Sequence, residues 1–206
     1  AYGAGLLLRE MRQRKTNVLT HAAENLRDFV RNKVEEAKLI AFDTTVQHLL
    51  IDRAADPSSD APVEAVVSPY LLVMERYYAV ALRDLHGGVL LEAPAGATDA
   101  LPGEDQPLSL WFGLRTSRTG VPLVSMRMNI YGVFQPSRGY FMRSIGTIQV
   151  DVEEQMLQAQ YRDAGLLENM QVYVLDAQGR VISAREQYLM GQPEESLPLE
   201  DVRIRL

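Results

Sequence analysis

Between Gly5 and Asp52 the chain has no proline, and after Gly5 it has no glycine. A stretch this long without a backbone breaker predicts one long helix. Val18, Ala22, Leu26, Phe29, Val30, Val34, Ala37, Ile40 and Ala41 recur at three-to-four spacing and share one face. Glu24, Arg27, Asp28, Arg31, Glu35 and Lys38 occupy the other, where Arg31 and Glu35 are oppositely charged at i, i+4. At about 1.5 Å per residue such a helix spans roughly 65–70 Å, more than the width of a small domain. It therefore pairs with another helix or serves an elongated molecule of more than one lobe. The broad stripe does not keep strict heptads, which leaves a coiled-coil spacer or a plain surface helix as the competing readings.

The remaining chain must supply the core. Of 206 residues 47% are apolar, enough for one sizeable core or two small ones. A net charge of −6 and the lack of any basic stripe interleaved with aromatics exclude a nucleic-acid partner. There is no cysteine, so disulfides and thiolate chemistry are excluded. No run of eighteen apolar residues exists. Leu6, Leu7 and Leu8 stand before Arg9, Arg12, Arg14 and Lys15, an order that fits either the end of a membrane helix lying before this sequence or an ordinary amphipathic turn. It does not fit a cleavable signal peptide.

Beyond the helix, residues 53–62 (RAADPSSDAP) read as a loop, and Ser68-Pro69 as an N-cap followed by a short helix to about Arg76. Tyr77 to Arg83 and Val89 to Glu92 are expected strands, joined by Asp84-Leu85-His86-Gly87-Gly88 in a type I turn with a bulge. Residues 94–107 form a Pro- and Gly-rich loop, mobile or a lid. Strands are expected over 108–116, 122–133 and 139–152, followed by a helix from Glu153 to Ala164 that ends at Gly165. Helices followed by five strands in hairpin order predict an α+β fold with a five-stranded antiparallel sheet. Tyr173 to Val181 repeats the layout of Ala81 to Val89, with Asp-x-x-Gly between apolar strand residues. If the repeat is real, a second, smaller lobe begins near Met170 and is incomplete at Leu206, so the expected domains are 1–168 and 169–206. Residues 194–206 fit a strand or a tail.

Alternation gives each central strand an apolar and a polar face. Val124, Met126, Met128 and Ile130 oppose Ser125, Arg127, Asn129 and Tyr131; Ile148, Val150 and Val152 oppose Thr147, Gln149 and Asp151; Trp111, Gly113 and Arg115 oppose Leu110, Phe112 and Leu114. The apolar faces need a large partner, for which the long helix is the candidate. The polar face either meets water or lines a ligand site. Its residue types, aromatic and hydrogen-bonding where solvent faces carry Lys and Glu, favour a small-ligand site built from Trp111, Arg115, Ser125, Arg127, Asn129, Tyr131, Gln149 and Asp151. There Arg127 would fork onto an anionic group and Asp151 would accept from an amine or hydroxyl. The three histidines, His21, His48 and His86, lack metal-ligand spacing, and neither a nucleophile elbow nor a nucleotide fingerprint is present. No cofactor, metal or catalytic residue is expected, and the chain is not expected to be an enzyme.

These pieces together resemble the extracytoplasmic Cache (PAS-like, double-Cache) sensor domains of bacterial membrane receptors, most closely those of two-component sensor histidine kinases. The resemblance covers nearly the whole chain and is most specific in Ile145-Gly146-Thr147-Ile148-Gln149-Val150-Asp151 before a helix, and in Val174-Leu175-Asp176-Ala177-Gln178-Gly179-Arg180-Val181-Ile182. It implies a sensor on the outer side of the cell membrane, held between membrane helices that lie outside this sequence. The ligand, a small molecule or a protein presenting one, would bind on the distal sheet, and the signal would pass through the long helix in a homodimer. Amino-acid-binding members use an Arg-x-Trp pair, a tyrosine and a later aspartate. Asp151 fills the aspartate position, but here the other pair reads Trp111-x-x-x-Arg115. The same module occurs in chemoreceptors and cyclic-dinucleotide enzymes. From the residues alone, the rival is a ligand-free interaction or dimerisation module with a solvated polar face.

Overall fold

The computed structural model describes residues 2–56, 58, 66, 68–70, 77–94, 111–134, 141–162, 171–197 and 202–206, with backbone only at 2–12, 15, 68, 111 and 141. The fold is α+β. Helix α1 (Tyr2–Ala41) and helix α2 (Thr44–Ala55) precede strands β1 (Ala79–Asp84), β2 (Val89–Ala93), β3 (Trp111–Thr116), β4 (Pro122–Phe134) and β5 (Phe141–Glu153). Helix α3 (Glu154–Arg162) follows, then β6 (Val172–Leu175), β7 (Val181–Ala184) and β8 (Val202–Arg205). Two units are distinct, one of Lys33–Glu153 and one of Ala1–Asn32 with Glu154–Leu206.

The expected single helix is two helices. Asp43 ends the first by capping the second: one carboxylate oxygen accepts from the Thr45 and Val46 amides at 2.7 and 3.1 Å. The Tyr70 hydroxyl donates to its other oxygen at 2.5 Å. This bond, followed by the amide bonds, holds the Asp43 carboxyl below its usual range despite some burial, and the Tyr70 phenol is pushed up to about 12. Gln47 Nε2 donates to the Ala41 carbonyl at 3.2 Å, satisfying a helix-end acceptor. Ser68–Tyr70 is one 3-10 turn in place of the expected helix start. The rest of that helix, the loop over 95–107, the turn over 135–139 and the helix end at Gly165 lie outside the described residues.

In the Lys33–Glu153 unit the sheet order is β2-β1-β5-β4-β3, antiparallel throughout. Its apolar face buries Val80, Leu82, Val124, Met126, Met128, Ile130, Ile148, Val150 and Val152. Helix α2 lies against β1, β4 and β5 and buries Val46, Leu49 and Leu50. The docking is close at Gly146, where a Cβ would sit 2.4 Å from the Arg83 carbonyl oxygen and 3.0 Å from Leu50 Cδ2. Glycine is thus required there for packing, which accounts for its place in the Ile-Gly-x-Ile pattern.

The stripe of α1 is buried at Ala22, Leu26, Ala37, Ile40 and Ala41. Lys33 interrupts it as a buried residue. Its ammonium sits 4.6 Å from the Tyr77 ring centroid and 3.1 Å from Glu36 Oε2, and the Tyr77 hydroxyl lies 2.9 Å from the Lys33 carbonyl.

In the second unit the sheet order is β7-β6-β8, with β6 and β8 parallel. Residues 202–205 are therefore a strand. Tyr173, Leu175, Val181, Ala184 and Leu197 form the core, with Leu189 and Met190 packed on it. The two Asp-x-x-Gly hairpins correspond in detail. Asp84 accepts from the His86 and Gly88 amides at 2.8 Å, Asp176 from those of Gln178 and Arg180 at 2.9 Å. Gly87 and Gly179 have φ of 78° and 74°, and a bulge follows each.

Candidate functional site

The polar face of the five-stranded sheet is set by register. Ser125 pairs with Asp151 and Arg127 with Gln149 between β4 and β5, while β1 places Ala79 beside Asp151 and Ala81 beside Gln149. On β3, Gly113 pairs with Ser125 and the Trp111 backbone with Arg127. Asp151 thus has a small neighbour on each side, Ala79 and Ser125, whereas Gln149 has Ala81 on one side and Arg127 on the other. Ser125, Gln149, Asp151, Ala79 and Ala81 are all fully or almost fully buried. The centre of this face is covered, and the solvated-face reading fails there.

Asp151 is the hub. Its Oδ1 accepts from Ser125 Oγ at 2.5 Å and from Gln149 Nε2 at 3.1 Å. Its Oδ2 lies 3.4 Å from Gln149 Nε2 and 3.5 Å from an Arg115 guanidinium nitrogen. Burial pushes the Asp151 carboxyl above its ordinary value, outweighing the Ser125 bond, the charge of Arg115, the Gln149 bond and the charge of Arg83. Gln149 Oε1 is buried and has no hydrogen-bond partner among the described residues.

Four of the eight residues expected from sequence, Arg115, Ser125, Gln149 and Asp151, are thus in direct contact. Arg127 and Asn129 continue the face along β4, Asn129 opposite Thr147. Tyr131 pairs with Ser144 beyond a bulge. It lies six residues from Ser125, about 20 Å along an extended strand, too far for one small group to touch both. Trp111 is placed by its backbone alone. Sequence reasoning missed Arg83, a buried arginine whose charge acts on Asp151. The signal was present in Ala79-x-Ala81-x-Arg83, two small residues and a cation on one strand face.

A second polar cluster, also missed, lies in the other unit. Glu154, at the start of α3, is buried. It accepts from Ser183 Oγ, in a very short contact, and from Gln158 Nε2 at 3.3 Å. The Tyr161 hydroxyl is 2.7 Å from the same Ser183 oxygen. Burial raises the Glu154 carboxyl, against the opposing bonds from Ser183, Gln158 and the Ala184 amide.

Among the described residues no group of three or more His, Asp or Glu is placed to hold a metal ion. Among them, no helix is long and apolar enough to cross a membrane.

The sequence matches no protein-family model, and a search of curated proteins gives no match. Solved structures do match in fold. The ligand-binding domain of the Pseudomonas aeruginosa amino acid chemoreceptor PctC, in complex with GABA, is 15% identical at a TM-score of 0.51, over 94% of this chain and 84% of that one. That of the Pseudomonas fluorescens chemoreceptor CtaA, with L-serine, is 17% identical at 0.57, over 93% and 81%. That of P. aeruginosa PctB, with L-Arg, is 10% identical at 0.57, over 90% and 75%. The fold is therefore that of the Cache/PAS-like ligand-binding domains of bacterial chemoreceptors.

Proposed function

We propose that this chain is the extracytoplasmic sensor domain of a bacterial membrane receptor, by its sequence resemblance a two-component sensor histidine kinase, and that it receives a small molecule on the polar face of the five-stranded sheet. The observation that carries this reading is the cluster of buried Ser125, Gln149 and Asp151 with the half-buried Arg115, in a fold whose solved neighbours carry small amino compounds. A sheet that simply faced water would not bury these groups. Their neighbours across the ladder, Gly113, Ala79 and Ala81, are small. Signalling then follows from differential affinity: a ligand that prefers one of two arrangements of the receptor shifts it toward that arrangement. The long helix transmits this shift in a homodimer.

The test is a thermal-shift screen of the purified chain against amino acids, carboxylates, sugars and peptides. A ligand specific to the native state raises the melting temperature, by an amount that grows with its concentration over Kd. The expected result is a hit that is lost in Arg127→Ala while the melting temperature without ligand is kept. A flat screen would favour the rival, a module working through a protein partner. Light scattering, with and without the hit, tests the homodimer.

A further inference from the structure

If the polar face is a ligand site, its centre carries a discriminating acceptor. We infer that the ligand presents an uncharged hydrogen-bond donor, a hydroxyl or an amide N–H, to Gln149 Oε1, and that Asp151 positions Gln149 and does not receive a ligand ammonium. This inference rests on the sensor reading above.

The argument starts from the amide. A glutamine side chain has a donating and an accepting end. Gln149 Nε2 is 3.1 and 3.4 Å from the two Asp151 oxygens. Turning the amide over would press its carbonyl against a carboxylate, so Asp151 fixes which end points where. The carbonyl oxygen is then left buried and, among the described residues, without a partner, in a residue only 1% exposed. Buried acceptors are nearly always satisfied, and the exceptions call for a role. A ligand donor supplies that role.

Asp151 itself is already committed. Ser125 and Gln149 donate to Oδ1, and Gln149 and Arg115 approach Oδ2. The Arg115 guanidinium occupies the electrostatic position that a ligand ammonium would need, and a second cation beside it is repelled. Arg83, also acting on Asp151, adds to that penalty. A neutral donor at Gln149 meets no such penalty, and a site with a buried acceptor rejects analogues that cannot donate.

The test uses paired probes that differ in one group, read by thermal shift and isothermal titration on the whole chain. The pairs are L-alanine with L-lactate and 4-aminobutyrate with 4-hydroxybutyrate; D-glucose and propionamide serve as uncharged probes, together with any hit of the broad screen. The expected result is a melting shift from hydroxyl or amide compounds and none from their ammonium counterparts. Gln149→Met, which keeps volume and removes the acceptor, then weakens binding by about tenfold. Circular dichroism reports whether that variant folds, and if it does not, the paired comparison on the unaltered chain decides alone. A shift from an ammonium compound but not its hydroxyl partner would overturn this inference and leave the sensor reading standing. So would hydroxyl binding that Gln149→Met does not weaken. No shift from any compound, including the broad screen, would overturn the sensor reading and this inference with it.

Discussion

Two buried carboxylates stand three residues apart in the chain, Asp151 in one unit and Glu154 in the other. Both are raised by burial, both accept from a serine, and both have a glutamine amide beside them. They differ in charge and in completeness. Asp151 has a guanidinium at 3.5 Å, and its glutamine is left with an orphan acceptor. Glu154 forms no ion pair among the described residues, and none of its cluster's buried atoms lacks a partner. A buried polar cluster is therefore not in itself a site. The Glu154 group closes on itself and ties α3 to β7 through Ser183 and Ala184, whereas the Asp151 group leaves one bond for something outside the chain.

The largest expected effect that tests this contrast is Asp151→Ala. It leaves the buried Ser125 and Gln149 donors without their shared acceptor and removes one partner of Arg115, and should cost about 2–4 kcal/mol in urea unfolding. A loss below about 1 kcal/mol would show that Asp151 is not the hub of this cluster. Glu154→Ala strands neutral donors only, so its expected loss is smaller, about 1–3 kcal/mol.

The pH dependence separates the two further. A carboxyl raised in the folded state holds its proton where the unfolded chain has released it. Stability therefore falls as pH rises from the ordinary carboxylate range, about 4, to the folded value, with a slope of at most about 1.4 kcal/mol per pH unit for each group. Glu154→Gln keeps an uncharged, hydrogen-bonding side chain and should flatten that fall in a series of melting curves; an unchanged slope would mean that Glu154 is not raised.

The smallest effect concerns the hairpins. Arg180 Nε donates to Asp176 at 3.0 Å from a half-exposed side chain, where the first hairpin has Gly88. Arg180→Ala should cost less than about 1 kcal/mol in urea unfolding, since the exposed partner is solvated. A larger loss would separate two turns that otherwise match bond for bond.

Several features were legible because they are local. Alternation along β4 and β5 assigned Ser125, Arg127, Gln149 and Asp151 to one face, and the Asp-x-x-Gly spacing gave both hairpins, since each depends on contacts within a few residues. The break at Asp43 was also legible, as an N-cap before two threonines, but the absence of proline and glycine was read in its place. Glu154 was not legible at all, because its partner Ser183 lies 29 residues on and nothing in either segment names the other.

By itself, then, the sequence determined the α+β class, the strand faces and the turn chemistry, since helix and strand periodicities are properties of neighbouring residues. Only the tertiary structure decided that the centre of the polar face is buried, that Arg115 approaches Asp151 and that among the described residues one acceptor of Gln149 is left over. Burial and pairing across strands depend on which distant segments meet, and an orphaned atom can be recognised only after every other partner has been placed.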